Sequence, residues 1–456
     1  MMSVQSLLES YRDRVLSPTD VVDTVYDCIE SEDTNAWIAT RDREEVIEEA
    51  ESLGDPSELP LYSVPFAVKD NIDYEGLPTT AGCPEFAYDP DDHATVVQRL
   101  VNAGALLIGK TNLDQFATGL VGTRSPYGAC RNVYNDAYIS GGSSSGSAVA
   151  VARDHVAFAL GTDTAGSGRV PAAFNGLVGL KPTRGAVSTD GVVPACASLD
   201  CVSIFADSCQ DASLVERVAA GFDPDDPYSR READKLSSEL STVDDPTLGV
   251  PASTDREFFD DQEAKHLFDA TVEALRDVGT VETIDPAPFY ETASLLYGGP
   301  WVAERFVAVG EFIDDNSGAA YPVVEEIIRR GESYSAVETF KAFQKLEALK
   351  HRAECVMRDI NALVMPTTGT TYTVEEVRKE PIELNSNLGY YTNFVNLLNL
   401  SAVSVPTGQF DAGPTFGVTV IGDAFNDAAV TSIAAEVQTA SQFEETTAPP
   451  ALDDFT

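Results

Sequence analysis

The sequence predicts the α/β class, and three observations carry that expectation. Short apolar runs of strand length recur at 61–70, 105–108 and 156–160. Between them lie stretches with apolar residues at helical spacing, such as Val96, Val97, Leu100 and Val101 within 94–104. This alternation continues through about residue 205, the pattern of strands joined by crossover helices. The length of 456 residues, 43% of them hydrophobic, suffices for a substantial core in one large domain or two to three ordinary ones.

Taken in order, residues 1–60 read as an N-terminal helical segment packed on the core. Ser17 and Pro18 fit an N-cap and a first helical residue ahead of Val21, Val22, Val25 and Ile29. Residues 43–53 read as an acidic surface helix. The run 61–70 is a strand that ends in Lys69, the first lysine of the chain. A main domain is expected over 61–442. Within it, 210–262 is polar, acidic and dotted with Pro224, Pro227, Pro246 and Pro251, which reads as a surface excursion. Helices are expected at about 262–277, 300–314, 321–331 and 335–362. The runs 362–366, 402–406 and 416–421 return to the sheet. Residues 443–456 read as an acidic, flexible tail. No apolar run approaches the roughly 18 residues of a membrane helix, and the N-terminus lacks the basic start and apolar core of a signal peptide. The expectation is a soluble, cytoplasmic protein without membrane contact.

The charge is the outlying quantity. Against 74 acidic residues stand 30 basic ones, a formal net charge of −44, and nine of the 30 are lysines. The acid is spread along the chain, although 40–60, 222–262 and 443–456 are richest. Such a surface suits very high salt, where screening over about 3 Å at 1 M removes self-repulsion. Nucleic-acid binding by surface charge is disfavoured at this balance. Seven cysteines without a C-x-x-C pair read as reduced, mostly buried thiols. The four histidines (His93, His155, His266, His351) show no metal-ligand spacing, so no metal is expected.

Two small-residue turns stand out as a site. The first is Gly141-Gly142-Ser143-Ser144-Ser145-Gly146-Ser147, and the second is Gly161-Thr162-Asp163-Thr164-Ala165-Gly166-Ser167-Gly168-Arg169. The first satisfies G-x-S-x-G with Ser144 as a nucleophile, which would need a later histidine and an acid. It could equally be a plain glycine-serine turn; it lacks the Lys-Ser/Thr ending of a phosphate loop. Lys69 closes an apolar strand in a chain that has almost discarded lysine. Burial would lower its pKa and make it a usable base. The bland alternative is a buried salt bridge with Asp70.

The stretch 61–205 resembles the amidase signature family. The likeness rests on Val64-Pro65-Phe66-Ala67-Val68-Lys69-Asp70-Asn71, Gly109-Lys110-Thr111-Asn112, the two turns above, and Gly176-Leu177-Val178-Gly179-Leu180-Lys181-Pro182-Thr183. The resemblance implies a mixed, twisted central sheet covered by helices on both faces. It also implies a serine hydrolase with a Ser-cis-Ser-Lys triad and no cofactor. By that likeness Ser167 is the nucleophile, Ser143 the bridging serine after a cis peptide from Gly142, and Lys69 the base. The amides of Thr164, Ala165, Gly166 and Ser167 would form the oxyanion hole, and Ser144 would orient Lys69. Lys110 and Lys181 look structural.

Over roughly 60–425 the chain is most similar to the allophanate hydrolases of that family. The signs include 112–128, Ser198-Leu199-Asp200-Cys201-Val202-Ser203, Tyr297-Gly298-Gly299-Pro300-Trp301-Val302-Ala303-Glu304-Arg305 and 389–396. That likeness implies Tyr297 and Arg305 as the carboxylate-holding pair, with Gly298-Gly299-Pro300 as the turn that lets them converge. The bland alternative is a core tyrosine and a surface salt bridge of Arg305 with Glu304 or another nearby acid. The implied partners are allophanate as substrate, a urea carboxylase as its supplier, and a second copy in a homodimer. The extra C-terminal domain that many allophanate hydrolases carry has no counterpart expected within 456 residues. The alternatives are the glutaminase subunit of a tRNA-dependent amidotransferase, a broad-specificity small-amide amidase, and a non-catalytic amidase-like protein; retention of Lys69, Ser143 and Ser167 disfavours the last. From the charge alone, moving the protein from molar salt to dilute buffer is expected to cost it fold and activity. Circular dichroism and turnover across a salt series check this, and full stability in dilute buffer would refute it.

Overall fold

The computed structural model describes residues 2–236 and 240–443. Eleven strands form one sheet: β1 (Trp37–Thr40), β2 (Pro65–Lys69), β3 (Leu106–Thr111), β4 (Phe158–Asp163), β5 (Val178–Lys181), β6 (Cys201–Ala206), β7 (Thr247–Pro251), β8 (Thr280–Ile284), β9 (Ala362–Pro366), β10 (Ser401–Gln409) and β11 (Thr415–Gly422). Their spatial order is β1-β3-β2-β4-β6-β5-β10-β11-β9-β7-β8. The sheet is mixed. β3, β2 and β4 run parallel, as do β9, β7 and β8, while the strands from β4 to β9 in that order pair antiparallel.

Both faces of the sheet are buried, and the side-chain alternation of the strands shows it. In β9, Ala362 and Val364 enter one core, whereas Leu363 and Met365 enter another. Val403 and Ala402 divide in the same way, as do Val420 and Ile421. The first core is closed by the amphipathic helices Pro18–Ser31, Cys209–Ala219 and Asp427–Ala440. The second lies under the helices Ala287–Gly298 and Ala336–Met357. The α/β class and the mixed, helix-covered sheet expected from the sequence are therefore found.

The N-terminal segment supplies more than helices. Ser17 does cap its helix, accepting from the Asp20 amide at 3.1 Å. But Trp37–Thr40 forms β1, which completes the sheet edge against β3. The reading of 210–262 as a surface excursion also needs correction. The helix Cys209–Ala219 packs in the core, and β7 lies inside the sheet between β9 and β8. β7 escapes pattern reading because it is five residues long, ends in Pro251 and has Gly249 at its centre. A Cβ at that glycine would stand 2.6 Å from Ile360 Cδ1 and 3.0 Å from Ile284 Cγ2, so a larger residue would have to push those side chains aside. β8 and the helix Ala287–Gly298 are likewise absent from the elements that the sequence predicts. The tail expected at 443–456 lies outside the described residues beyond Phe443.

Because Leu248 of β7 is fully buried, Leu248→Ala is expected to destabilise the protein by about 2–5 kcal/mol. Chemical denaturation at molar salt measures this, and a change within about 0.5 kcal/mol, typical of a surface site, would return β7 to the periphery.

Candidate active site

β2 and β4 are parallel neighbours, so their C-terminal ends lie on one edge of the sheet. Lys69 is the last residue of β2 and Thr162 the penultimate residue of β4. The Lys69 ammonium is completely buried. Its Nζ donates to Ser143 Oγ at 2.7 Å and to Thr162 Oγ1 at 2.8 Å. No carboxylate lies within ion-pair distance of it among the described residues; Asp70 turns instead toward Lys110 Nζ, 3.4 Å away. Burial drives the Lys69 pKa down to about 7, against the upward pull of Asp114, Asp200 and Asp163, while Arg305 pushes it further down.

The serines of the first turn divide the labour. The Gly142–Ser143 peptide is cis, and Ser143 stands just ahead of the helix Ser145–Ala152 with its hydroxyl on Lys69. Asp114 fixes this turn from outside, since its amide donates to Ser143 O at 3.0 Å. Its carboxylate accepts from the amides of Val121, Gly122 and Arg124. A Cβ on Gly142 would come within 2.2 Å of that carboxylate, so only glycine fits. Ser144 does not touch Lys69. Its Oγ donates to Thr162 O at 3.1 Å and accepts from Thr162 N at 3.2 Å, so any influence on Lys69 runs through Thr162. The nucleophile-elbow alternative for Ser144 finds no histidine there. His155 is held by the indole of Trp37, and His266 and His351 are exposed.

The second turn follows β4 directly. Asp163 accepts from the amides of Gly166 and Gly168 and forms a buried, two-point pair with Arg169 at 2.9 and 3.0 Å. Burial alone would raise the Asp163 pKa, but Arg169 holds it below the usual carboxylate range. Gly166 has φ +129°, and a Cβ there would strike Thr392 Oγ1. Thr392 in turn donates to Ala165 O at 2.6 Å, and Thr164 Oγ1 donates to Asp200. Ser167 is 3% exposed, and its hydroxyl has no hydrogen-bond partner among the described residues, Ser143 included. Of the four amides expected in an oxyanion hole, that of Gly166 is occupied by Asp163. Those of Thr164, Ala165 and Ser167 have no acceptor among the described residues.

Tyr297 ends one helix (Ala287–Gly298) and Arg305 lies in the first turns of the next (Val302–Asp315), with Gly299, Pro300 and Trp301 between. The two converge, as Arg305 Nη2 donates to Tyr297 Oη at 3.3 Å. Arg305 is buried, and its Nη1 donates to Thr118 Oγ1 at 2.8 Å and to Ala117 O at 3.2 Å. Glu304 is engaged elsewhere, by the amide and hydroxyl of Ser198, so the Glu304–Arg305 ion pair does not form. Arg305 has no ion-pair partner among the described residues.

A family model described as Amidase matches residues 20–431. The chain belongs to the amidase family. It is 46% identical over 407 residues to urea amidolyase of Saccharomyces cerevisiae, a match that covers 88% of this chain and 22% of that one. The chain thus spans about a fifth of the length of that relative. It is also 33% identical over 421 residues to a glutamyl-tRNA(Gln) amidotransferase subunit of Acidobacterium capsulatum, covering 86% and 87% of the two chains. Among solved structures, Kluyveromyces lactis allophanate hydrolase superposes with a TM-score of 0.92 at 41% identity, over 98% of this chain and 74% of that one.

Several residues of this amidase site have no part in the expectations from sequence. Thr162, Asp114, Asp163, Arg169 and Asp200 fix the two turns, and Thr118 holds Arg305. All but Thr118 act through backbone amides or through a second side chain, which single-sequence reasoning does not see. The signal available was Asp163 and Arg169 flanking the second turn, an acid and a base with only small residues between them. The pKa of Lys69 sets a pH dependence. Only the neutral amine accepts a proton, so kcat/KM is expected to fall about tenfold per pH unit below about 7 and to level off above it. A pH–rate profile at molar salt checks this, and a rate that stays flat from pH 5 to 7 (~two units below the lysine's titration) would exclude Lys69 as the base.

Proposed function

We propose that the chain hydrolyses the terminal amide of allophanate through an acyl-enzyme on Ser167. The observation that carries this reading is Arg305, a buried cation without an acidic partner among the described residues of a very acidic chain. A guanidinium offers a planar, two-point partner to a carboxylate, and Tyr297 Oη beside it adds a second polar contact. The similarity to a urea amidolyase and to an allophanate hydrolase supports the same substrate.

In this mechanism neutral Lys69 accepts the Ser143 hydroxyl proton as Ser143 takes the proton of Ser167. The Ser167 Oγ adds to the amide carbonyl, and the open amides of Thr164, Ala165 and Ser167 receive the oxyanion. The proton returns through Ser143 to the leaving nitrogen, the C–N bond breaks, and ammonia departs. Water then adds to the acyl-enzyme by the same route and releases N-carboxycarbamate, which gives carbon dioxide and further ammonia. Serine alone is too weak a nucleophile for this chemistry and needs the adjacent base. An enzyme that carboxylates urea would supply the substrate, and a high-salt cytoplasm and a homodimer belong to the same reading.

A second reading, the glutaminase subunit of a tRNA-dependent amidotransferase, draws on the 33% identity to such a protein over nearly its whole length. Ammonia release from allophanate, glutamine and simple amides at molar salt separates the two. Allophanate is expected to be the preferred substrate, and turnover of glutamine alone would overturn the proposal. Ser167→Ala is expected to abolish turnover. Arg305→Ala is expected to cost about 2–5 kcal/mol in kcat/KM for allophanate and far less for an uncharged amide.

A further inference from the structure

Arg124 is a second buried arginine without a carboxylate partner among the described residues, and the mechanism above does not use it. It is 2% exposed. Its Nη1 donates to Thr118 O at 2.9 Å and its Nη2 to Pro381 O at 2.5 Å, while its Nε has no partner. Asp114 is the main charge that opposes the burial of Arg124, yet both its oxygens already accept amide hydrogens and it forms no ion pair with Arg124. A desolvated cation satisfied only by carbonyls leaves charge for an anion to neutralise.

Arg124 lines a cavity of about 250 Å³ together with Tyr297, Arg330, Asn385 and Ser386. Tyr297 belongs to this cavity as well as to the Arg305 contact, whereas Arg305 does not line it. Arg330 is half-exposed and forms an ion pair with the likewise exposed Glu326 at 2.6 Å, outside the lining, through Nη2 alone. An exposed pair of this kind is weak, so a buried ligand can compete for the guanidinium. Asn385 accepts from the Leu120 amide through Oδ1, which leaves its Nδ2 as a free donor. Three other cavities each carry carboxylates: Glu9 beside Arg12 and Arg217 in one, Glu32, Asp33 and Asp136 beside Arg131 and Arg153 in another, and Asp190, Asp200 and Asp226 in a third. The Arg124 cavity carries two arginines and no acid in a chain of net charge −44.

We propose that this cavity is a second anion site, specific for small carboxylates, in which Arg124 and Arg330 bind the ligand with Tyr297 as the wall shared with Arg305. The carboxylate class follows from the kinds of donor in the lining: two planar guanidiniums, a phenol and an amide, which together suit a multidentate oxygen acceptor. A simple halide would use only part of that set.

The test is titration of the whole protein with oxalate in molar sodium chloride, by calorimetry and in crystals. Oxalate serves as probe whether or not allophanate is the substrate, so failure of the two proposals is distinguishable. Two oxalates per chain are expected, one against Tyr297 and Arg305 and one against Arg124 and Arg330. Arg330→Gln, a change at a half-exposed side chain, is expected to weaken the second oxalate about tenfold and leave the first unchanged. Arg305→Ala is expected to remove the first and keep the second. A single oxalate abolished by Arg305→Ala, two oxalates indifferent to Arg330→Gln, or a cavity filled by chloride that oxalate does not displace would each overturn the inference.

Discussion

An ammonium group buried at the end of β2, with two hydroxyls but no carboxylate within bonding reach, sets the terms for the remainder of the site. Burial penalises its charged form, and three carboxylates at longer range temper the penalty without contacting it. Had Asp70 paired with Lys69 the amine would be locked as a cation. The structure avoids this by giving Asp70 to Lys110 and to the hydroxyl and amide of Thr80. Lys110 is further held by Ile72 O and Thr79 Oγ1. One lysine therefore takes the carboxylate, so that its neighbour on the adjacent strand can be neutral.

The two turns that face Lys69 are built by carboxylates that never reach the reacting atoms. Asp114 gathers the amides of Val121, Gly122 and Arg124 and meets the carbonyl of Ser143 through its own amide. Asp163 gathers those of Gly166 and Gly168 and is itself neutralised by Arg169. A buried carboxylate that accepts several amides is a rigid organiser, and removing it would leave those donors unsatisfied. Asp163 also settles which amides stay open, because the one it takes, on Gly166, cannot serve an oxyanion. Backbone donors and a neutral base thus come from one edge of one sheet, positioned by groups that stand behind them.

How much of this was legible in the sequence depends on the range of the interaction. Ser17 as a cap, the strands at 362–366, 402–406 and 416–421, and the terminal position of Lys69 are local patterns, and they were readable. β7 and β8 were not, because both are only five residues long, β7 carries Gly249 and Pro251, and β8 is largely polar, so they gain their stability from neighbours distant in sequence. The same divide holds at the site. Lys69, Ser143, Ser167, Tyr297 and Arg305 could be named from their motifs. Thr162, Asp163 and Arg124 could not be given roles, since their meaning lies in which amide or carbonyl they meet. Ser144 shows the limit most plainly: the motif makes it a nucleophile or a lysine partner, and the fold ties it to the backbone of Thr162.

The charge of the chain connects surface to site. Of nine lysines, the three that are fully buried each have specific acceptors (hydroxyl, carbonyl or carboxylate oxygens for Lys69 and Lys110, the Pro182 carbonyl and the Cys201 sulfur for Lys181), while the rest lie at or near the surface. Arginine shows the same economy. Arg169 is neutralised by Asp163, whereas Arg124 and Arg305 are buried without an acid. In a protein with 44 more acids than bases, these two arginines are met instead by carbonyls, hydroxyls and, for Arg305, the ring of Tyr297. Those surroundings leave two buried guanidiniums near Tyr297 without a contacting carboxylate among the described residues, their charge balanced only at longer range. High salt screens the outer surface but not a desolvated guanidinium, so these two groups keep their attraction for anions under conditions in which the rest of the surface has lost its own field.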